Sequence, residues 1–188
     1  MLKHIEEFET YAEISGFKNV KISQAKEFLD KVSKEKPAGV EAQFFDARRV
    51  ATWQHLYFAA LNALTAFKNK ENISKSLAME TLLYAAAERQ ITRAVELVGI
   101  GATSSDVAVL IIGKEPREME SALSMVSKNI GGQRDEKVLE LSKDKVATIQ
   151  RVFDILEAEL RTVMEKNDVE KAMTDLVVER MALLATRR

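Results

Sequence analysis

The chain has 188 residues, 46% of them hydrophobic and 30% charged, with a formal net charge of -1. That length suits one compact domain with a substantial core, so a single domain over residues 1–188 is expected. The absence of cysteine excludes disulfides, zinc-thiolate sites and thiol nucleophiles, and the near-zero net charge excludes wrapping nucleic acid over the whole surface. A local basic patch remains open, because 28 Lys and Arg are present. No apolar run approaches the ~20 residues of a membrane helix. The N-terminal MLKHIEEFETY carries acidic residues where a signal peptide would have an apolar core. A cytoplasmic protein with no membrane partner is expected.

Residues 8–17 (FETYAEISGF) alternate apolar and polar and predict a half-exposed strand closing at Gly16. Residues 23–36 follow as a helix, with Ser23 as N-cap and Phe28, Leu29 and Val32 as a narrow stripe, ended by Pro37 and Gly39. Residues 39–46 (GVEAQFFD) predict a second strand. Asp46 is placed to cap the next helix, in which Val50, Trp53, Tyr57, Ala60, Leu61, Leu64 and Phe67 recur at helical spacing as far as about Lys70.

After a KNKEN loop, Leu77, Met79, Leu82, Leu83 and Tyr84 surround a helix on every side, which predicts a central, buried element reaching Ala87. Residues 107–112 are continuously apolar and predict an interior strand. Residues 115–132 predict a helix with Pro116 in its first turn and glycines at its end. Residues 135–188 read as mostly helical. About three strands and six or seven helices make this an α+β chain, with a small, mostly antiparallel sheet packed against six or more helices.

Signs of catalysis are sparse. The two histidines, His4 and His55, are far apart in sequence, and neither a metal-ligand spacing nor a phosphate-binding loop is present. No metal or cofactor is expected. His55 falls opposite the Trp53/Tyr57 stripe and is expected at the surface or in a second layer. Glu80 interrupts an apolar run and is expected in a structural ion pair or a solvent notch, since a catalytic acid would want a second titratable group nearby. Ile91, Ala94, Val95 and Val98 form a stripe at i, i+3, i+4 and i+7, flanked by Lys68, Lys70, Lys75, Arg89 and Arg93.

Residues 72–100 (NISKSLAMETLLYAAAERQITRAVELVGI) carry a family resemblance, supported by FDARRVATWQHLYFAALNAL before them and DLVVERMALL near the end. They resemble the PRPK-binding protein family, the small regulatory subunit of the KEOPS complex. The resemblance implies a non-catalytic protein that binds the PRPK-type kinase, an ATPase within KEOPS. It also implies help in recruiting tRNA, in archaea through the 3′ CCA end, for attachment of a threonylcarbamoyl group to an adenosine beside the anticodon. Many archaeal-type members have a small residue followed by glycine where this chain has Ala86 and Ala87. Alanine favours helix over glycine by about 1 kcal/mol, so a shorter or stiffer break is expected there.

On this reading Ile91, Ala94, Val95 and Val98 face the kinase subunit, while Lys68, Lys70, Lys75, Arg89 and Arg93 meet the RNA. Two alternatives stand beside it. One is an enzyme of unknown class using Glu80 and His55, and the other is a dimeric scaffold with no RNA role.

Overall fold

The apolar run VAVLIIG is buried at every position, and its place in the fold explains why. In the computed structural model, which describes residues 1–22 and 25–186, it forms β4 (Val107–Gly113). Its neighbours are β2 (Thr10–Lys18) and β3 (Glu41–Asp46), both antiparallel. Two short edge strands complete the sheet. β1 (Leu2–Ile5) pairs with the first half of β2, and β5 (Gln133–Arg134) with its end. The path order is β1-β2-β4-β3.

Both faces of β4 are covered. Ala108, Leu110 and Ile112 join one apolar cluster, and Val107, Val109 and Ile111 join another. A strand covered on both sides has no reason to alternate with polar residues. The second cluster is closed by α1 (Ala25–Glu35) through Val32 and by α5 (Pro116–Asn129) through Met119, Ala122 and Val126. The first is larger. It gathers α2 (Trp53–Asn69), α3 (Leu77–Ala85), α4 (Ile91–Val98), α6 (Lys143–Phe153), α7 (Glu157–Val163) and α8 (Val169–Thr186). Eight helices and an antiparallel sheet among the described residues make the chain α+β.

Several local expectations are refined. Ser23, the expected N-cap of the first helix, lies outside the described residues. Asp46 caps the short 3₁₀ turn Ala47–Arg49, accepting from the Arg48 N–H at 3.1 Å, rather than α2, whose N-cap is Thr52. The large residues of α2 do not mark its innermost face. His55, Leu56, Ala59, Ala60, Ala63 and Ala66 are buried there, whereas Trp53, Tyr57, Leu61 and Leu64 are half-buried against the core. Alanines allow α2 and α3 to approach closely, and the bulky residues fill the flanks.

The central helix stops at Ala85, two residues short of the expected end. The Ala87 N–H donates to the Tyr84 carbonyl at 2.9 Å and the Glu88 N–H to the Leu83 carbonyl at 3.0 Å. This crossed pair is the Schellman arrangement, which needs a left-handed residue and normally uses glycine. Here Ala87 takes that role at φ 50°. The break therefore forms without the glycine, at a cost of about 1–2 kcal/mol for an L-residue in that conformation. Ala87→Gly should raise stability by up to about 1 kcal/mol, the relief being partly offset by the greater freedom of unfolded glycine. Urea unfolding measures it, and a loss of stability would show that Ala87 is not left-handed in solution.

Candidate functional site

The α3–α4 junction is held from below by His55. Its ring is fully buried. Nδ1 accepts the Ala51 N–H at 3.2 Å, so Nε2 carries the proton and donates to the Ala85 carbonyl at 2.8 Å. The Phe153 ring meets it edge-on, with centroids 5.4 Å apart. Burial pushes its pKa down to about 4, and the bond to Ala85 only partly opposes this. His55 is thus a neutral interior bracket, not the surface or second-layer histidine expected from helical phase. Helical phase weights the aromatic stripe as the inner face, whereas the buried face carries the alanines.

Above this bracket lies a cleft of about 370 Å³, lined by Ala86, Ala87, Leu97, Val152 and Phe153, with Arg93, Arg151 and Arg180 around it. The three arginines come from α4, α6 and α8, which no local sequence pattern could have brought together. Arg93 pairs with Glu96 at 3.2 Å and Arg180 with Glu159 at 2.6 Å. Arg151 is exposed and makes no ion pair among the described residues. Glu88 and Asp154 add carboxylates to the lining. Glu88 accepts the N–H groups of Arg89 and Gln90 at 2.7 and 3.1 Å, fixing the approach to α4.

The expected apolar stripe divides in two. Ala94 and Val98 are buried in the chain's own core, so they cannot present a face to a partner. Ile91 and Val95 are 45% and 42% exposed, one turn apart on α4. The C-terminal end of α4 is anchored by Arg49, whose guanidinium donates to the Glu96 carbonyl and, at 3.1 Å, to that of Leu97. A cation on the last carbonyls is favourable at a helix end.

The five expected basic residues do not form one patch. Lys75 precedes α3 and Arg89 follows it. Nine residues at ~1.5 Å each separate the two ends by more than ~13 Å. Lys68 belongs to the far end, paired with Glu7 at 3.1 Å and lying over the Phe8 ring, and Lys70 closes α2 beside it. Only Arg93 of the five lines the cleft.

Glu80 is fully buried, so it marks no solvent notch, and it forms no ion pair among the described residues. Its carboxylate accepts the Ile73 N–H at 3.0 Å and the Ser74 N–H at 2.6 Å, tying the preceding loop to the start of α3. Charge-assisted bonds to backbone donors satisfy a buried carboxylate. Glu80 and His55 therefore serve opposite ends of α3, and neither lines the arginine cleft.

The histidine bracket has a pH signature. Unfolded, His55 protonates near 6.5, and folded it stays neutral to about 4. Between these values the unfolded chain binds the additional proton. The stabilisation due to neutral His55 is complete above pH 6.5 and is lost as pH falls towards 4, by on the order of 3 kcal/mol. Chemical denaturation from pH 7 to 4 should show this fall, and His55→Gln should flatten it while lowering stability at pH 7. An identical slope in the variant would assign the acid sensitivity to other groups.

Comparison with known proteins agrees with this architecture. Residues 17–185 match the family described as kinase binding protein CGI-121. Regulatory protein Cgi121 from Methanocaldococcus jannaschii is 34% identical over 117 residues, which span 62% of this chain and 72% of that protein. The match includes the Leu77–Ala85 helix, the break after it and α4, and the chain belongs to the CGI-121 kinase-binding protein family.

Proposed function

We propose that the chain is a non-catalytic, cytoplasmic regulatory subunit that binds the PRPK-type kinase or ATPase subunit of KEOPS. In the same proposal it helps bring tRNA to that complex, through the 3′ CCA end, for threonylcarbamoyladenosine formation. The observation that carries this reading is the double character of α4. One side offers Ile91 and Val95 to solvent, and Arg93 of the same helix lines the cleft shared with Arg151 and Arg180. The family's description supports a kinase as a partner.

The cleft's chemistry suits a single-stranded RNA end. Guanidinium groups match phosphate geometry, and the Glu88 and Asp154 carboxylates can accept from the exocyclic amino groups of cytosine and adenine. Leu97 and Val152, both half-buried, give aliphatic walls. The RNA-binding set is accordingly revised to Arg93, Arg151 and Arg180. Arg89 is retained at the rim of the break, and Lys68, Lys70 and Lys75 are left at the far end of α3. The enzyme alternative loses its residues, because His55 and Glu80 spend their polar atoms on backbone groups.

The two surfaces make separate predictions. Val95→Glu should leave the fold intact and weaken kinase binding about a hundredfold or more, since a carboxylate would enter an apolar contact. Val98→Glu should unfold the chain instead. Calorimetric titration against the kinase subunit distinguishes them, and a folded Val95→Glu protein that binds normally would remove α4 from the interface. Replacing Arg93 and Arg151 together by Glu should abolish binding of intact tRNA and flatten its salt dependence. Unchanged gel shifts, or equal binding of tRNA lacking CCA by the unaltered protein, would rule out this cleft as the RNA site.

A further inference from the structure

A second cleft, of about 500 Å³, opens between the first turn of α6, the 3₁₀ turn Glu136–Leu139 and the turn after β3. Its innermost charge is Lys145, 7% exposed. Two of its N–H groups donate to the carbonyls of Val138 and Glu140, at 3.0 and 2.9 Å. No carboxylate lies within ion-pair distance of it among the described residues. Burial lowers the ammonium's pKa to about 8, against the raising influence of Glu170, Asp106, Asp46 and Glu140. A buried ammonium with no carboxylate in contact is costly to keep.

Two other lining cations are already matched, and the remaining one, Lys137, is exposed. Lys18 pairs with Asp135 at 2.8 Å, and Arg48 pairs with Asp46 at 2.7 Å. Asp106 is the reverse case. It is half-buried and lines the same cleft, and its carboxylate has no ion pair or hydrogen bond among the described residues. It is near enough to act on Lys145 electrostatically, yet not in contact with it. The hydroxyls of Ser142 and Thr148 stand in the lining between polar neighbours, likewise without a hydrogen bond.

One buried cation and one half-buried anion, each without an ion pair among the described residues, thus share this polar cleft, whereas the other unpaired charges of its lining, Lys137, Glu140 and Asp144, are exposed. A polyanion would meet Asp106, and a polycation would meet Lys145. We propose that this cleft binds a small zwitterion, a free α-amino acid, with its carboxylate completing the third donor of Lys145 and its ammonium on Asp106. Ser142 and Thr148 supply the remaining hydrogen bonds. This site stands apart from α4 and does not rest on the kinase or RNA reading.

The test is a calorimetric or saturation-transfer titration of the full chain with glycine, alanine and serine. Acetate and methylammonium serve as the two half-molecules. At least one amino acid should bind, with each half about tenfold weaker or worse. Asp106→Asn is the deciding variant, because it leaves the Lys145 bonds to Val138 and Glu140 intact, and it should weaken binding about tenfold or more. Lys145→Met should do the same if its melting curve is cooperative. No binding of any amino acid at about 10 mM would overturn the proposal. So would acetate binding as tightly as glycine, or unchanged affinity in Asp106→Asn.

Discussion

The bond from His55 Nε2 to the Ala85 carbonyl, 2.8 Å long, fixes where the central helix ends. The cleft beside α4 is built around that end point. Because α3 stops at Ala85, the chain turns through left-handed Ala87 and restarts as α4 at Ile91. Because the same imidazole packs against Phe153, the end of α6 is held beside the break, and Asp154 turns left-handed there at φ 51°. Two reversals therefore flank one cleft, and a single neutral side chain supports both.

Such a bracket works only while the imidazole is uncharged. Protonated, Nδ1 would become a donor facing the donor N–H of Ala51, and one bond would turn into a repulsion. The interior solves the problem by excluding water, which lowers the proton affinity of the ring. Glu80 shows the opposite solution at the other end of α3, where a buried carboxylate is satisfied by the N–H groups of Ile73 and Ser74. Both groups look like catalytic candidates by type. By geometry each is a tie between α3 and the backbone before or beside it.

The legible parts of the sequence were those with a one-dimensional signal. Val107–Gly113 reads as interior because it is apolar without interruption, and α5 because Pro116 and the glycines bracket it. The edge strands were silent: β1 is four residues with two charged or polar members, and β5 is two residues defined only by the backbone of β2. The burial of His55 was hidden by side-chain size, because helical phase weights Trp53 and Tyr57 over Ala59 and Ala63. The arginine cleft was beyond reach, since Arg93, Arg151 and Arg180 become neighbours only through the packing of three helices. The resemblance carried by residues 72–100 identified the family but not which side chains of that segment face outwards.

Amide chemical-shift mapping of the labelled protein tests the proposed division of labour on α4 most directly. Adding tRNA should perturb Arg93, Leu97, Arg151 and Asp154. Adding the kinase subunit should perturb Ile91 and Val95, and the second partner should still bind when the first is present. Perturbations from tRNA centred on Lys68, Lys70 and Lys75, or mutually exclusive binding of the two partners, would contradict it.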